Sequence, residues 1–231
     1  EAQAALDNLL FSRIPRGSAV LDLCCGTGIM TAAALKRGFS LTGLDISGGM
    51  LRYARKELPQ AVFLKRDARS FLLPPLFRGA FSTFESMSHI SEPAGLARVF
   101  ANVSASLAGG GIFVFDLLDE HAYLSLWGGR HTLRDRNEIC ILSGGYDKAR
   151  RVAWTDITVF SRNESSWIRS ESRITEKYHE PEEVVRRLQA AGFAEIEIFS
   201  ADCDLGMTGK FGFGRIFLRA SKPVQLQSPA R

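Results

Sequence analysis

Short apolar runs alternate with helix-like patterns through the first half of the chain. Runs of four or five mostly apolar residues predict buried strands, and apolar residues spaced three and four apart between these runs predict helices. The predicted strands cover residues 20–23, 40–44, 61–64, 80–84 and 112–115, and the predicted helices cover residues 1–12, 28–37, 49–58 and 93–107. Strands that alternate with helices in this way predict a parallel sheet covered by helices.

The pattern changes after Asp116. Longer β-patterns occupy residues 137–143, 151–161 and 167–178, and the links at 144–147 and 162–165 contain residues that favour turns. These features predict an antiparallel insertion at residues 118–178. A helix pattern at 181–191, followed by Gly192 and by strand patterns at 194–199 and 215–220, predicts that the chain returns to the main sheet.

The predicted fold class is therefore α/β, with a seven-stranded, mostly parallel sheet, helices on both faces and an antiparallel β insertion after the fifth strand. We expect residues 1–117 and 179–220 to form one core, residues 118–178 to form the insertion, and residues 221–231 to form a polar tail. The insertion is expected to act either as a substrate lid or as a dimer surface, and the chain to be a monomer or a homodimer.

Composition narrows the class of protein. The 231 residues, 45% hydrophobic and 23% charged, are typical of one globular domain that carries an insertion. Apolar runs fall short of the roughly 18–20 residues that span a bilayer, and the first residues do not resemble a signal segment, so we expect a cytoplasmic protein without a membrane partner. Because the chain starts at Glu1 and not at Met, we also expect a short element to precede it.

Charge and cysteine spacing give weaker constraints. The net charge is +4, with basic residues scattered along the chain, so nucleic acid is not an expected partner. The four cysteines have no C-x-x-C spacing, which predicts reduced thiols and no metal site.

Residues 20–28, with the sequence VLDLCCGTG, predict a strand that enters a tight G-x-G turn and opens a helix. Gly26 and Gly28 lack the Cβ atoms that would block a ligand, and the helix start offers free N–H groups. Asp45 follows the next strand, 17 residues after Gly28, where a carboxylate can accept both hydroxyls of a ribose. A nicotinamide-binding fingerprint would require a third glycine where this chain has Thr31.

This segment resembles the first motif of class I S-adenosylmethionine-dependent methyltransferases. Residues 43–47 with Met50 resemble the second motif of that family, and residues 66–68 resemble the third. Residues 84–90 (FESMSHI) are similar to the fourth-motif region of small-molecule N-methyltransferases, including those that act on amino sugars, and do not contain the N-P-P-Y or D-P-P-Y of nucleic-acid base methyltransferases. The resemblance implies a Rossmann-like fold, S-adenosylmethionine as cofactor and a small-molecule acceptor, which we expect to be an amine.

The resemblance also implies roles for individual residues. Gly26 and Gly28 would face the methionine portion of the cofactor, Asp22 would orient the first loop, and Asp45 would hold the ribose. Met50 would pack near the adenine, which Asp67 and Ala68 would contact. The full set of implied cofactor-binding residues is Asp22, Cys25, Gly26, Gly28, Asp45, Ile46, Met50, Asp67, Ala68 and Phe84.

His89 and Glu85 are the candidate catalytic residues, either of which could deprotonate a charged amine. Each could equally be a hydrogen-bonded neighbour of the strand end. Cys24 and Cys25 are interpreted as small residues in a tight turn, because methyl transfer needs no thiol nucleophile. Two other functions stay open: an RNA or protein methyltransferase, which the pI near 9.0 favours, and a binding module that keeps the cofactor without turnover.

Overall fold

The computed structural model describes residues 1–164 and 166–224. The strands are β1 (Ala19–Leu23), β2 (Ser40–Asp45), β3 (Val62–Lys65), β4 (Phe77–Ser82), β5 (Leu107–Leu118), β6 (Gly129–Arg134), β7 (Glu138–Asp147), β8 (Val152–Asn163), β9 (Ser166–Lys177), β10 (Ala194–Ser200) and β11 (Arg215–Ser221). The helices are α1 (Ala2–Leu9), α2 (Ile29–Lys36), α3 (Gly48–Glu57), α4 (Pro93–Ser106), α5 (Glu120–Leu126), α6 (Pro181–Ala190) and α7 (Gly209–Gly212), with 3₁₀ turns at Phe11–Arg13 and Ser86–His89.

The main sheet has seven strands in the order β10-β11-β5-β4-β1-β2-β3. Strands β1 to β5 pair in parallel, and β11 pairs antiparallel with both β5 and β10. The predicted seven-stranded, mostly parallel sheet is confirmed. Chain order reverses between β1 and β4, and ligands bind in such sheets at the crevice that this reversal opens beyond the carboxyl ends of the strands.

Helices cover both faces of this sheet. On one face, Leu6 of α1 and Met30 of α2 pack with Val20 of β1 in a buried cluster. On the other face, Val99 of α4 and Val184 of α6 belong to the cluster that contains the next residue of β1, Leu21. Neighbouring residues of β1 therefore face opposite cores, which explains why the buried strands appear in the sequence as continuous apolar runs.

A second sheet of four antiparallel strands, β6-β7-β8-β9, lies between β5 and α6 in the chain. The prediction of a turn at residues 144–147 was wrong, because these residues lie inside β7. A Cβ atom on Gly144 would lie 2.6 Å from the carbonyl oxygen of Trp154, and one on Gly145 would lie 2.6 Å from the Trp154 ring. The two glycines make room for Trp154 on the neighbouring strand, and the chain turns only after Asp147.

Other boundaries also differ from the prediction. Helix α5 and strand β6 were not predicted, and β4 ends at Ser82, two residues early. Strand β5 extends to Leu118 because it pairs with β11 as far as Arg215. Of the predicted polar tail, Ser221 closes β11, and residues 225–231 lie outside the described residues. Within the described ranges, no helix is both long and apolar enough to cross a membrane.

Candidate active site

A cavity of about 550 Å³ opens at the carboxyl ends of β1, β2 and β4. We call it the first cavity. Its walls contain ten of the twelve residues that the sequence analysis selected: Asp22, Cys25, Gly26, Asp45, Ile46, Met50, Asp67, Ala68, Phe84 and His89. Gly28 and Glu85 are not among its lining residues. Thr83, Ser86, Arg69 and Ile90 also line the cavity and were not predicted to do so.

The two glycines of the loop between β1 and α2 do different things. Gly26 has a φ of +54°, and a Cβ atom there would meet only the Met50 sulfur, at 3.6 Å, so this backbone is open towards the first cavity. Gly28 has a φ of +85°, and a Cβ atom there would lie 2.8 Å from Cδ1 of Leu58. Gly28 thus allows α2 to begin close to the end of α3. Its expected contact with the methionine portion of the cofactor stays a prediction.

The carboxylate of Asp45 is held in place at the end of β2. Its Oδ2 accepts a hydrogen bond from the Gly26 N–H at 2.8 Å, and its Oδ1 accepts one from the Ser47 N–H at 2.7 Å. Each carboxylate oxygen can accept a second hydrogen bond. Because the residue lines the first cavity, its remaining lone pairs are suited to a ligand that presents two hydroxyl groups.

Asp22 is a buried acid on the same wall. Oγ1 of Thr31 donates a hydrogen bond of 2.5 Å to its Oδ2. Burial raises the pKa of Asp22 to about 7, the Thr31 hydrogen bond opposes this rise, and the negative charge of Asp45 adds to it. Thr31 of α2 therefore serves as the hydrogen-bond donor to Asp22. In the sequence analysis, Thr31 served only to exclude a nicotinamide-binding fingerprint.

Asp67 and Ala68 follow β3 and also line the first cavity. Both Asp67 oxygens accept hydrogen bonds from Arg69, the shortest at 2.6 Å, and this interaction lowers the pKa of the Asp67 carboxyl. Part of the acceptor capacity of Asp67 is thus already used within the protein. The adjacent residue Ala68 is buried and lines the cavity.

The loop after β4 turns sharply. Phe84 and Glu85 have φ angles of +60° and +46°, a conformation that non-glycine residues rarely adopt and that is common at functional sites. The turn places the Phe84 ring on the cavity wall. It also places His89 there, with Nδ1 of His89 3.2 Å from the carbonyl oxygen of Thr175 in β9. A carbonyl oxygen only accepts, so Nδ1 carries the hydrogen and the neutral ring keeps a free lone pair on Nε2.

Glu85 lies outside the first cavity because its carboxylate pairs with Arg215 of β11. Arg215 also pairs with Asp116, the residue near the end of β5. Glu85 therefore does not line the first cavity, where a catalytic base was expected. Of the two candidate bases, His89 is the one that lines this cavity.

The cysteines of the loop are not activated thiols. Burial raises the pKa of Cys24 to about 12 and raises the pKa of Cys25 above its usual range. Both stay protonated at neutral pH and fill space in the turn. Across the part of the chain that the structure describes, all four thiols are free, and no group of three or more His, Cys, Asp or Glu residues is arranged to hold a metal ion.

A second cavity of about 380 Å³ adjoins the first. The two share Ile29, Met30 and Phe84 as lining residues. The remaining walls of the second cavity come from three parts of the chain that are distant in sequence, and they comprise Glu1, Ala2, Gln3, Asp116, Met207, Phe211, Arg215 and Phe217. No local pattern in the sequence indicates this cavity, because its lining residues are separated by up to about two hundred positions in the chain.

Comparison with known proteins identifies the class. Residues 20–111 match the family model described as a methyltransferase domain. This segment contains the glycine turn, Asp45, Asp67 and the loop after β4, so the match to a methyltransferase domain includes most of the residues predicted to bind the cofactor. The predicted family resemblance is confirmed.

Among particular relatives, the chain is 34% identical over 109 residues to the dTDP-3-amino-3,4,6-trideoxy-alpha-D-glucopyranose N,N-dimethyltransferase of Streptomyces venezuelae, covering 47% of this chain and 46% of that protein. It is 35% identical over 121 residues to an uncharacterized methyltransferase of Synechocystis, covering 52% of this chain and 53% of that protein. The chain thus aligns with about half the length of these curated relatives.

Solved structures extend the likeness of fold to nearly the whole chain. The sugar N-methyltransferase of Streptoalloteichus has a TM-score of 0.80 at 18% identity, over 96% of this chain and 87% of that chain. An S-adenosylmethionine-dependent methyltransferase of Clostridium acetobutylicum has a TM-score of 0.79 at 19% identity, over 96% and 90%. Identities this low show the fold alone, and they confirm the predicted Rossmann-like architecture.

Proposed function

We propose that the protein transfers a methyl group from S-adenosylmethionine to a nitrogen atom of a small-molecule amine. The observation that carries this proposal is the Asp45 carboxylate, which two backbone N–H groups hold on the wall of the first cavity. A fixed carboxylate with free lone pairs at the end of the second strand is suited to a ribose diol. The family match over residues 20–111 supports the same cofactor.

The residues of the first cavity fit this cofactor along its length. Asp45 would bind the ribose, and Met50 with Ala68 would pack beside the adenine. The open backbone at Gly26, where a Cβ atom would meet only Met50, leaves room for the methionine portion. When bound, the cofactor supplies an activated methyl group.

The protein's own contribution would be alignment, exclusion of water and proton transfer. The two cavities share three apolar lining residues, Ile29, Met30 and Phe84. These side chains would keep water from the reacting atoms and limit the directions from which the acceptor can approach. His89, with its lone pair free on Nε2, would take a proton from an acceptor amine. The second cavity would hold the rest of the acceptor.

Two observations favour a small-molecule amine over a macromolecule. The second cavity, at about 380 Å³, has the size of a small-molecule pocket and mostly apolar walls. The Streptomyces relative and the Streptoalloteichus structure are both named as sugar N-methyltransferases or dimethyltransferases. RNA or protein methylation and cofactor binding without turnover are the alternatives. The expected cytoplasmic location and oligomeric state stay predictions.

We expect Asp45→Asn to weaken cofactor binding. An amide keeps one acceptor oxygen but loses the negative charge and the second acceptor oxygen. This change should weaken cofactor binding by about 1–3 kcal/mol. Calorimetry with S-adenosylhomocysteine measures this loss. Asp156→Asn in β8, which breaks an ion pair with Arg173 in the second sheet, is the matched control.

Three outcomes bear on the proposal. Unchanged affinity in folded Asp45→Asn would remove the ribose contact, and tight binding of NAD by the wild type would remove the cofactor assignment. Incubation of the wild type with S-adenosylmethionine and a panel of amino sugars and simple amines, followed by mass spectrometry, tests turnover. Cofactor binding with no methylated product from any amine would leave a binding module or a macromolecular methyltransferase.

A further inference from the structure

A cluster of charged side chains borders the second cavity, which Asp116 and Arg215 line. Asp116 lies in β5 and Arg215 at the start of β11, and Glu85 belongs to the turn after β4. Nη1 of Arg215 donates to Oδ2 of Asp116 and to Oε2 of Glu85, and its Nε donates to the Phe211 carbonyl oxygen at 2.8 Å. The Glu85 N–H also donates to Oδ2 of Asp116, at 3.2 Å.

One carboxylate oxygen of this cluster has no partner. Oδ1 of Asp116 is buried without a hydrogen bond to any described residue, and Asp116 as a whole is 1% exposed while still lining the second cavity. A buried carboxylate oxygen without a donor is unfavourable, and in native proteins such an atom requires an explanation. A ligand that brings an N–H donor would supply the missing hydrogen bond.

The cluster also carries more negative than positive charge. Two carboxylates, from Asp116 and Glu85, share the single guanidinium of Arg215. Burial raises the pKa of nearby Glu176 to about 7, and the negative charge of Glu85 adds to this rise. A cation entering the second cavity would be attracted, whereas an anion would find Arg215 already engaged.

We propose that the second cavity binds the acceptor through a cationic amine, with Oδ1 of Asp116 accepting a hydrogen bond from the ammonium group. This inference rests on the proposed function and names the charge class of its acceptor. Arg215 fixes the orientation of the Asp116 carboxylate, and the rings of Phe84, Phe211 and Phe217 pack against an aliphatic or sugar-like ring. Aromatic faces also attract cations, which reinforces the same preference.

The first test compares two ligands of the same ring size on the wild-type protein saturated with S-adenosylhomocysteine. Cyclohexylammonium and cyclohexanecarboxylate are titrated at pH 7 and followed by ligand-observed NMR. We expect the ammonium to bind at least tenfold more tightly than the carboxylate. Equal binding, or tighter binding of the carboxylate, would overturn the inference without any variant.

The second test assigns the preference to Asp116. Asp116→Asn should lower the affinity for cyclohexylammonium at least tenfold while leaving S-adenosylhomocysteine affinity unchanged. Glu197→Gln is the matched control. It removes a carboxylate from an ion pair with Arg219, which lies on β11 like Arg215. A folded Asp116→Asn protein that still prefers the ammonium would refute the role of Asp116. Should this variant fail to bind S-adenosylhomocysteine, the wild-type comparison of the two ligands decides the charge preference of the cavity.

The outcome separates this inference from the proposed function. If the wild type binds cyclohexylammonium preferentially but methylates no amine, the charge preference of the cavity stands and the proposed activity fails. If Asp116→Asn methylates amines as fast as the wild type, the activity stands and the role of Asp116 fails.

Discussion

Two aspartates that line the first cavity differ in the number and kind of hydrogen bonds that their carboxyl groups accept. Asp45 accepts hydrogen bonds from two backbone N–H groups, and such bonds stabilise a carboxylate. Asp22 is fully enclosed and accepts one hydroxyl hydrogen bond from Thr31. Because a charge in a buried position is stabilised only by such partners, Asp22 keeps its proton to a higher pH than an exposed aspartic acid does.

The raised pKa of Asp22 predicts a loss of stability with rising pH. Its pKa is about 7 in the folded protein and about 4 when unfolded. The folded state therefore binds this proton more tightly, and the resulting stability is present below about pH 4 and lost as pH rises through about 7. Asp22→Asn cannot ionise and still accepts a hydrogen bond from Thr31.

Urea unfolding of both proteins at pH 5 and pH 8 measures this effect. We expect the wild type to lose more free energy of unfolding than Asp22→Asn between the two pH values, by on the order of 1–3 kcal/mol, since one pKa unit corresponds to about 1.4 kcal/mol. Parallel changes in the two proteins would mean that Asp22 is ionised in the fold at both pH values.

At the scale of the element, two glycines in the loop between β1 and α2 have different surroundings, although only one residue separates them. Gly26 leaves the cavity open, and Gly28 permits contact between α2 and α3. Both residues have positive φ angles, so an alanine at either position is strained. The surroundings of each added methyl group differ, which makes the two positions a matched pair.

We expect the two alanine variants to fail in different ways. Gly28→Ala adds a methyl group 2.8 Å from Leu58 and should lower the free energy of unfolding by about 1–3 kcal/mol. Gly26→Ala adds its methyl group towards the cavity and should weaken S-adenosylhomocysteine binding more than Gly28→Ala does. Thermal unfolding and calorimetry on both proteins test this contrast. Equal losses of affinity would show that Gly28 also contacts the cofactor.

At the scale of the whole molecule, one end of the second sheet contacts the core. Thr175 accepts from His89, and Glu176 accepts a hydrogen bond of 3.3 Å from Tyr123. Ala153 of β8 is buried in the same region. The other end exposes the large apolar side chains of Leu133, Trp167 and Ile168, and exposed apolar groups of this kind often mark contact surfaces.

Shortening the exposed end of the second sheet tests lid against dimer surface. His131 pairs with Leu142 and Ile157 pairs with Ser172, so replacing residues 132–141 and 158–171 with Asn-Gly turns keeps the strand register. We expect the shortened protein to keep cofactor affinity and amine methylation within about tenfold of the wild type, because the contacts with His89 and Tyr123 remain.

Light scattering beside the activity assay measures assembly. We expect the shortened protein to be a monomer, with a Trp167→Ser, Ile168→Ser variant as the control that keeps the sheet intact. Loss of methylation in a shortened protein that still binds cofactor would instead make this end of the sheet a substrate lid.

The sequence by itself determined the main sheet and most of the selected residues that line the first cavity. Strands buried on both faces appear as continuous apolar runs, and residues 20–28 and 43–47 hold their ligand-facing groups within short segments. Such local geometry follows from a strand end and the turn behind it. Asp22, Gly26 and Asp45 could therefore be selected before the fold was known, and all three line the first cavity.

Only the tertiary structure decided how distant residues combine. Asp116 and Arg215 lie 99 positions apart, and Glu85 and Arg215 lie 130 apart, so no local pattern could show that they share one charge cluster or that Glu85 leaves the first cavity. The glycines at 144 and 145 favour a turn locally, yet they lie in a strand because Trp154 packs against them. Pairing between strands and packing of side chains outweigh local preference at such positions.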